Sequence, residues 1–439
     1  MAKSKPGISE NQVVSLWQQR MQANRRLVDT LGRPIEVIYP GRCSDTRGGD
    51  FRDALVNLAG VFHSGNIEIH TLNGNWLTHR HHKDPLYNSV ILHVAFQSDR
   101  AIPTVLQKGK IIPTVILNEL KSDPARCALP CANILNQKDT ASFNALLEEY
   151  GWQRLEAKAL KFQSEMSFQP AEQVLYSGIF EALGYTKNQK PFRQLAAALP
   201  LKTLCALTNQ PANDPDRIMR LEACLLGSAG LLPSQRGLPV NADKVMLQYE
   251  ELWQELAGVI QITDCAWELF KVRPANSPLR RLAAVARLVA RFSQAGWLES
   301  ILPPLIFSSA EKIASRLIQV IQVDDGGYWS SHFDFACSSL CSAALIGRQR
   351  SAEIAVNVIL PFALAWSRCQ QYALEDRIKQ VYSSFPALPS NSIERHMLEQ
   401  LGTRGKVTLK ACSQQGLLQI YKSACTVGGC ASCKFGGGS

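Results

Sequence analysis

The stretch GGDFRDALVNLAGVFHSGNIEIHTLNGNWLTHRHHKDPLYNSVILHVAF, residues 48–96, decides the fold. Asp50 to Leu58 and Asn66 to Leu72 have strand length and strand composition, and Gly60 with the Ser64-Gly65 pair separates them, so the spacing predicts an antiparallel hairpin. Asn75 to Tyr87 reads as a short polar helix, and Val90 to Phe96 as an apolar, central strand. Upstream, Ser9 and Gln12 have capping-box spacing. Val13, Trp17, Met21, Val28 and Leu31 then recur at helical intervals, which predicts a helix over residues 9–31 ended by Gly32. Ile35 to Tyr39 follows as a strand, before a loop marked by Pro40, Gly41 and Gly48-Gly49. Residues 1–100 therefore read as helix, three strands, helix and strand, an αβββαβ unit.

Beyond it, residues 101–175 are mixed, with Pro103 and Pro113 breaking short apolar runs before a helical stretch from Ala141 to Ser167. Residues 176–411 are mainly helical in pattern, 412–435 form a cysteine-rich tail, and 436–439 read as a linker scar. The fold class is an α+β unit followed by a mainly α-helical one. Hydrophobic residues at 46% and charged residues at 19% exclude a disordered or fibrous chain. The longest apolar run, Ala355 to Trp366, is shorter than the ~18 residues that span a bilayer and contains Pro361, so no transmembrane helix and no membrane partner are expected. The start, MAKSKPGISENQ, lacks the apolar centre of a secretory signal, and a cytoplasmic location is expected.

Lysine and arginine number 47 against 37 acids, a net charge of +10 that suits a polyanionic partner such as DNA or RNA and equally a basic surface with no specific role. Side chains alternate along a strand, so Glu68 and His70 leave one face while Ile67 and Ile69 leave the other. If Asp50 meets Glu68 across the hairpin, two acids and a third polar group converge. That set suits Mg or Mn, hard cations that take oxygen ligands, neutralise phosphate charge and acidify a bound water. The plainer reading is a sheet face with ordinary polar residues. Glu10 falls at the start of the inward face of the first helix. On the helix after the third strand, His79, His82 and Lys83 lie at i, i+3 and i+4 on one face, with His81 pointing elsewhere. His79 there suits general acid work or a phosphate contact, against the simpler reading of a solvated basic face. No HExxH spacing favours a zinc hydrolase.

The thirteen cysteines are an odd number, which argues against a disulfide framework. Cys425, Cys430 and Cys433 are spaced C-x4-C-x2-C around Gly428 and Gly429, a loop suited to zinc or an iron-sulfur cluster. Free or redox-active thiols are the alternative. For the fourth ligand, Cys412 is near in sequence, and Cys131 or Cys43 would have to arrive from a distance. Arg280, Arg281 and Arg287 to Arg291 form a basic helical stretch that either tracks phosphates or lines the outer face of an amphipathic helix. Tyr328-Trp329 and His332 either pack or stack on a base. No P-loop, dinucleotide fingerprint or Gly-x-Ser-x-Gly elbow is present, which disfavours those chemistries.

The arrangement of Glu10, Asp50 and Glu68-Ile69-His70 resembles the core of the PD-(D/E)XK nuclease superfamily, a restriction-endonuclease-like αβββαβ fold. The resemblance implies that Asp50 and Glu68 are ligands of magnesium or manganese, with Glu10 as the helix carboxylate some members add. His70 stands where that superfamily has a lysine, and Gly49 where it has a proline. Lys83 would supply from the following helix the charge missing at His70. Some nucleases of that superfamily also close an iron-sulfur cluster with one early and three late cysteines. Over nearly its whole length the chain resembles a family of bacterial proteins catalogued as domain of unknown function 2851. The segments carrying this include GGDFRDA at 48–54, GNIEIH at 65–70, WQRLEAKA at 152–159, RPANSPLRRLA at 273–283 and SQQGLLQIYKSAC at 413–425. Together these readings imply a metal-dependent nuclease cutting DNA or RNA. The rivals are a binding protein that keeps the scaffold without its chemistry, and a zinc or iron-sulfur thiol protein.

Overall fold

A computed structural model of the chain describes residues 7–23, 25–44, 47–100, 102–119, 129–136, 139–208, 214–240, 243–256, 258, 266–269, 272–324, 326–335, 337–338 and 343–436. The chain forms two compact units. One comprises Met1–Gly151, Ser390–Leu409 and Ser413–Ser439, the other Trp152–Pro389 and Lys410–Cys412.

The first unit opens with helix α1, Glu10–Ala23. Its capping box forms as the spacing predicts: the Gln12 side chain accepts the Ser9 N–H at 2.8 Å, and the Gln12 N–H reaches Ser9 Oγ at 3.4 Å. The helix does not continue to residue 31. Arg26–Val28 is instead strand β1, paired antiparallel with β2, Pro34–Tyr39. The helical period had enlisted Val28 and Leu31, which are 49% and 71% exposed, whereas Leu27 is the buried residue. What wins locally is turn chemistry at Asp29, whose Oδ1 accepts the N–H of Leu31 at 2.9 Å and of Arg33 at 2.8 Å. Gly32 takes the left-handed conformation in that turn, at φ +80°.

After β3, Arg42–Cys43, the strands β4, Phe51–Leu58, and β5, Val61–Leu72, form the expected hairpin, with its turn at Ala59-Gly60. Ser64 and Gly65 lie inside β5 rather than in the turn, and a Cβ on Gly65 would sit 2.4 Å from the Ser89 carbonyl oxygen. The expected helix over Asn75 to Tyr87 is one α-turn, α2 at Asn75–Thr78, and two 3-10 turns at His81–Lys83 and Pro85–Ser89. Strand β6, Val90–Gln97, runs parallel to β5. A small hairpin of β7, Thr104–Val105, and β8, Ile111–Ile112, precedes β9, Thr114–Ile116, which is parallel to β6. The sheet order is β1-β2-β4-β5-β6-β9, with β3 on β4. Val13, Trp17 and Met21 of α1 pack on Ile67, Ile69, Leu92 and Val94. The α1 side of the sheet thus takes the isoleucines and leaves Glu68 and His70 to the opposite face.

Helix Thr140–Met166 carries the chain into the second unit, whose described elements are mainly helices, among them Ala171–Leu183, Lys244–Glu255 and Pro278–Phe292. The continuous helical stretch Arg348–Cys369, 22 residues, is long and apolar enough by length and composition to cross a membrane, contrary to the expectation from the shorter run. Yet 72% of its most apolar window is buried inside the unit, as a core helix would be. Pro361 removes one N–H and clashes with the turn before it, and the chain answers with a wider π turn at Ala355–Ile359. Lys158 Nζ donates to Asn357 there, at 3.3 Å to the carbonyl oxygen and 2.5 Å to Oδ1.

Of the arginines of helix Pro278–Phe292, Arg280 and Arg281 are buried and Arg287 is half-buried, and Arg291 alone is exposed. Arg280 is fully buried and donates to the carbonyls of Trp329, Ser330, His332, Ala343 and Ala344. Arg281 bonds Tyr185 and Asn276, Arg287 pairs with Glu222, and Arg291 donates to Val320 and Gln322. Trp329 is buried, and Tyr328 stacks on His332 at 3.8 Å, so this cluster packs inward. Arg280→Ala leaves several buried carbonyls without a donor and is expected to destabilise the chain by about 3 kcal/mol or more in urea unfolding, with Arg291→Ala costing far less. Equal losses in the two variants would refute this assignment.

Candidate functional site

The hairpin register decides the site. Phe51 pairs with Ile67, which brings Asp50, one residue before β4, across from Glu68. Asp50 Oδ2 accepts the Ile69 N–H at 2.8 Å, so the carboxylate is fixed by the very strand it faces. Gly49 is at φ +125°, and a Cβ there would lie 2.7 Å from Asn66 Cβ, so a side chain would force the two strands apart. Asn66 Nδ2 donates to the Gly48 carbonyl at 2.6 Å and to Ser89 Oγ at 2.8 Å, latching the loop to the start of β6.

Glu68 and His70 are both buried, and β6 and the α2 region close over them. Asn73, Asp99 and Arg100 pin the start of α2: the Gly74 N–H reaches Asp99 Oδ1 at 2.8 Å, and Asn73 Nδ2 the Arg100 carbonyl at 2.6 Å. Trp76 is buried with its indole N–H on the Val105 carbonyl at 2.9 Å. Arg80 then takes φ +61°, a conformation L side chains rarely adopt, and this reverses the chain between His79 and His81. The reversal overturns the helical-wheel expectation. His81 is the histidine that turns inward, stacked on Tyr87 at 3.7 Å and on His70 at 5.2 Å, while Lys83 is exposed and outside the buried cluster. His79, also exposed, meets the His70 ring edge-on at 5.0 Å.

Glu68 Oε1 lies 3.5 Å from His70 Nε2 and 3.3 Å from His81 Nε2. His70 Nδ1 is bonded to His93 Nε2 at 3.0 Å, His93 Nδ1 to Thr104 Oγ1 at 2.8 Å, and Thr104 to Thr114 at 2.7 Å. His93, Thr104 and Thr114 were not picked out from the sequence. The available signal was one polar residue inside the apolar run Val90 to Phe96. Glu10 is exposed at the start of α1, where its charge still acts on both Asp50 and Glu68.

Electrostatics follow from burial. Asp50 is raised to about 7, first by desolvation and then by the Glu68 charge; Glu68 is raised to about 8 by desolvation and by Glu10. Burial and neighbouring imidazoles lower His70 to about 2, and burial lowers His93 to about 3. Among the described residues no lysine or arginine forms an ion pair with Asp50 or Glu68.

A second cluster joins the tail to a distant loop. Cys131, Cys425, Cys430 and Cys433 line one cleft with Gln400 and Met397, and Gln400 Nε2 donates to Sγ of Cys131 at 3.5 Å and of Cys425 at 3.6 Å. Gly428, at φ +71°, lets the chain turn against Ile38 and Leu55. Burial pushes the Cys425 thiol up to about 12 and raises that of Cys131. Cys412 is elsewhere, in the core of the helical unit, and Cys43 is exposed. The described cysteines are free thiols.

The acids and histidines act oppositely on stability. Folding raises the carboxylate values from 3.8 and 4.5, so their contribution is complete below those values and is lost as pH rises through about 7 to 8. Folding lowers the histidine values from 6.5, so their contribution is lost as pH falls below 6.5. Glu68→Gln should therefore remove much of the fall in thermal midpoint that this carboxylate imposes between about pH 4.5 and 8. Parallel melting profiles for the variant and the parent would contradict that.

No curated protein and no solved structure matches the chain. The family described as "Protein of unknown function (DUF2851)" matches residues 10–389, a span that takes in the three acids, the four clustered histidines and Cys131 and stops before the last three cysteines. The chain belongs to this DUF2851 family.

Proposed function

We propose that the protein is a metal-dependent nuclease that hydrolyses phosphodiester bonds of DNA or RNA on a PD-(D/E)XK-like fold. The observation that carries the reading is the pairing of Asp50, half-buried, with the buried Glu68, two carboxylates brought together by strand register. The order helix, meander, short helix and parallel strand adds support. Asp50 and Glu68 would hold Mg or Mn, and Glu10 at the rim would complete or orient that set. The cation supplies charge neutralisation at the phosphate and a more acidic bound water. His79, exposed and edge-on to the His70 ring, would move a proton to the leaving oxygen. Lys83, exposed on the 3-10 turn, would meet phosphate from solvent.

One observation favours a second reading. His70 is held neutral by burial and by its bond to His93, so it does not replace the positive charge of a lysine. A scaffold that binds nucleic acid without cutting it would tolerate this. The two separate on cleavage of labelled single- and double-stranded DNA and RNA with Mg²⁺, Mn²⁺ or EDTA. Metal-dependent cutting abolished by Asp50→Ala or Glu68→Ala, and reduced on the order of 10²-fold by His79→Ala, is expected. Salt-sensitive binding with every substrate left intact would establish the binding protein instead.

The thiol cleft would hold the second cofactor, zinc or an iron-sulfur cluster, with Cys131 as the fourth ligand. Four thiols lining one cleft with an amide donor support such a group, since bound metal is what makes them thiolates at neutral pH. Metal analysis of the purified chain should find stoichiometric zinc or iron that Cys131→Ser loses and Cys412→Ser keeps. Equal metal in both variants would remove Cys131 from the set.

A further inference from the structure

We propose that His70, His79 and His81 form a separate imidazole centre for a first-row divalent metal of the zinc class, adjoining the acids and sharing Glu68 with them. One ligand nitrogen from each of the three rings lies within 4.8 Å of the other two. Metal–nitrogen bonds of about 2.0–2.1 Å close such a set with small side-chain adjustments.

Three further features point the same way. The Nε2 atoms of His70 and His81 are buried without a hydrogen-bond partner, and both face Glu68 Oε1. Two ring nitrogens and a carboxylate around one point are satisfied together by a cation. The other nitrogen of His70 is tied through His93 and Thr104 to Thr114. When that run is polarised so that His70 Nδ1 donates to His93, the lone pair is left on Nε2, the arrangement found behind metal-bound histidines. The strained backbone at Arg80 brings His79 and His81 to the same point, which a regular helix would not do.

The donor set selects the metal. Imidazole suits zinc, copper, iron and nickel, whereas magnesium prefers oxygen alone. His70 and His81 are buried and His79 is exposed, so the centre is closed on two sides and open to solvent on the third. This inference touches the nuclease reading through Glu68 and through His79, which as a metal ligand would not also serve as the general acid.

The test is titration of the metal-stripped full chain with Co²⁺, a coloured stand-in for zinc, in the presence of excess Mg²⁺. Visible bands of a nitrogen and oxygen set are expected, and they should persist in Cys131→Ser, where any near-ultraviolet thiolate band from cobalt at the cysteines is weakened. His79→Ala and His81→Ala should each weaken Co²⁺ on the order of 10–100-fold. His79, being exposed, can be replaced without loss of folding, which circular dichroism verifies. Unchanged visible bands in the double variant, thiolate bands alone, or no Co²⁺ binding would each overturn the centre. Wild-type chain that binds Co²⁺ in this way yet cuts nothing defeats the nuclease reading while leaving this one standing.

Discussion

The hydrogen bond from the Ile69 N–H to Asp50 Oδ2 is the constraint on which the first unit turns. It sets which residue of the loop meets which residue of β5, and a one-residue slip would exchange the faces of Glu68 and Ile69. The buried isoleucines would then leave α1, and the acids would be driven into its apolar underside. Gly49 serves the same end from the backbone, because the strands approach too closely there for a side chain. Fold and candidate site are thus one register, specified by burial on one face and by charge on the other.

Burial of acids at this register has an energetic cost that the apolar face offsets. Trp17, Val13 and Met21 are packed on Ile67 and Ile69, so the strand is held whether or not its polar face is content. A site can be kept under electrostatic tension when the groups that suffer it are not those that hold the strand. The neutral histidines fit the same logic, since burial keeps them uncharged beside acids that would otherwise favour imidazolium.

Much of this was legible in residues, and the failures have physical causes. Alternation in Glu68-Ile69-His70 reported the two faces, and turn residues reported the hairpin. The first helix was overextended because Val28 and Leu31 fit a helical period, while the Asp29 turn that ends it depends on side-chain-to-backbone bonds that periodicity ignores. His81 was misdirected because a helical wheel presumes regular dihedrals, and Arg80 departs from them. Arg280 and Arg281 were read as outward because arginine is mostly exposed, whereas Arg280 is buried and donates to carbonyls of the segments packed against it. Cys131 was one of several candidates, since distance along the chain says nothing of proximity in the fold.

The first unit is discontinuous, and the four thiols belong to its two separated ends. This imposes an order on biosynthesis. Cys131 leaves the ribosome early and waits on the order of tens of seconds, at roughly 5–20 residues per second, until Cys425 follows. All of Trp152–Pro389 is made in between, so the helical unit can condense before the unit that encloses it in sequence is complete. The sheet is available early, and its closure by the cysteine-bearing segment waits until the helical unit has been made. Any cofactor that needs all four thiols is loaded only after Trp152–Pro389 has been made.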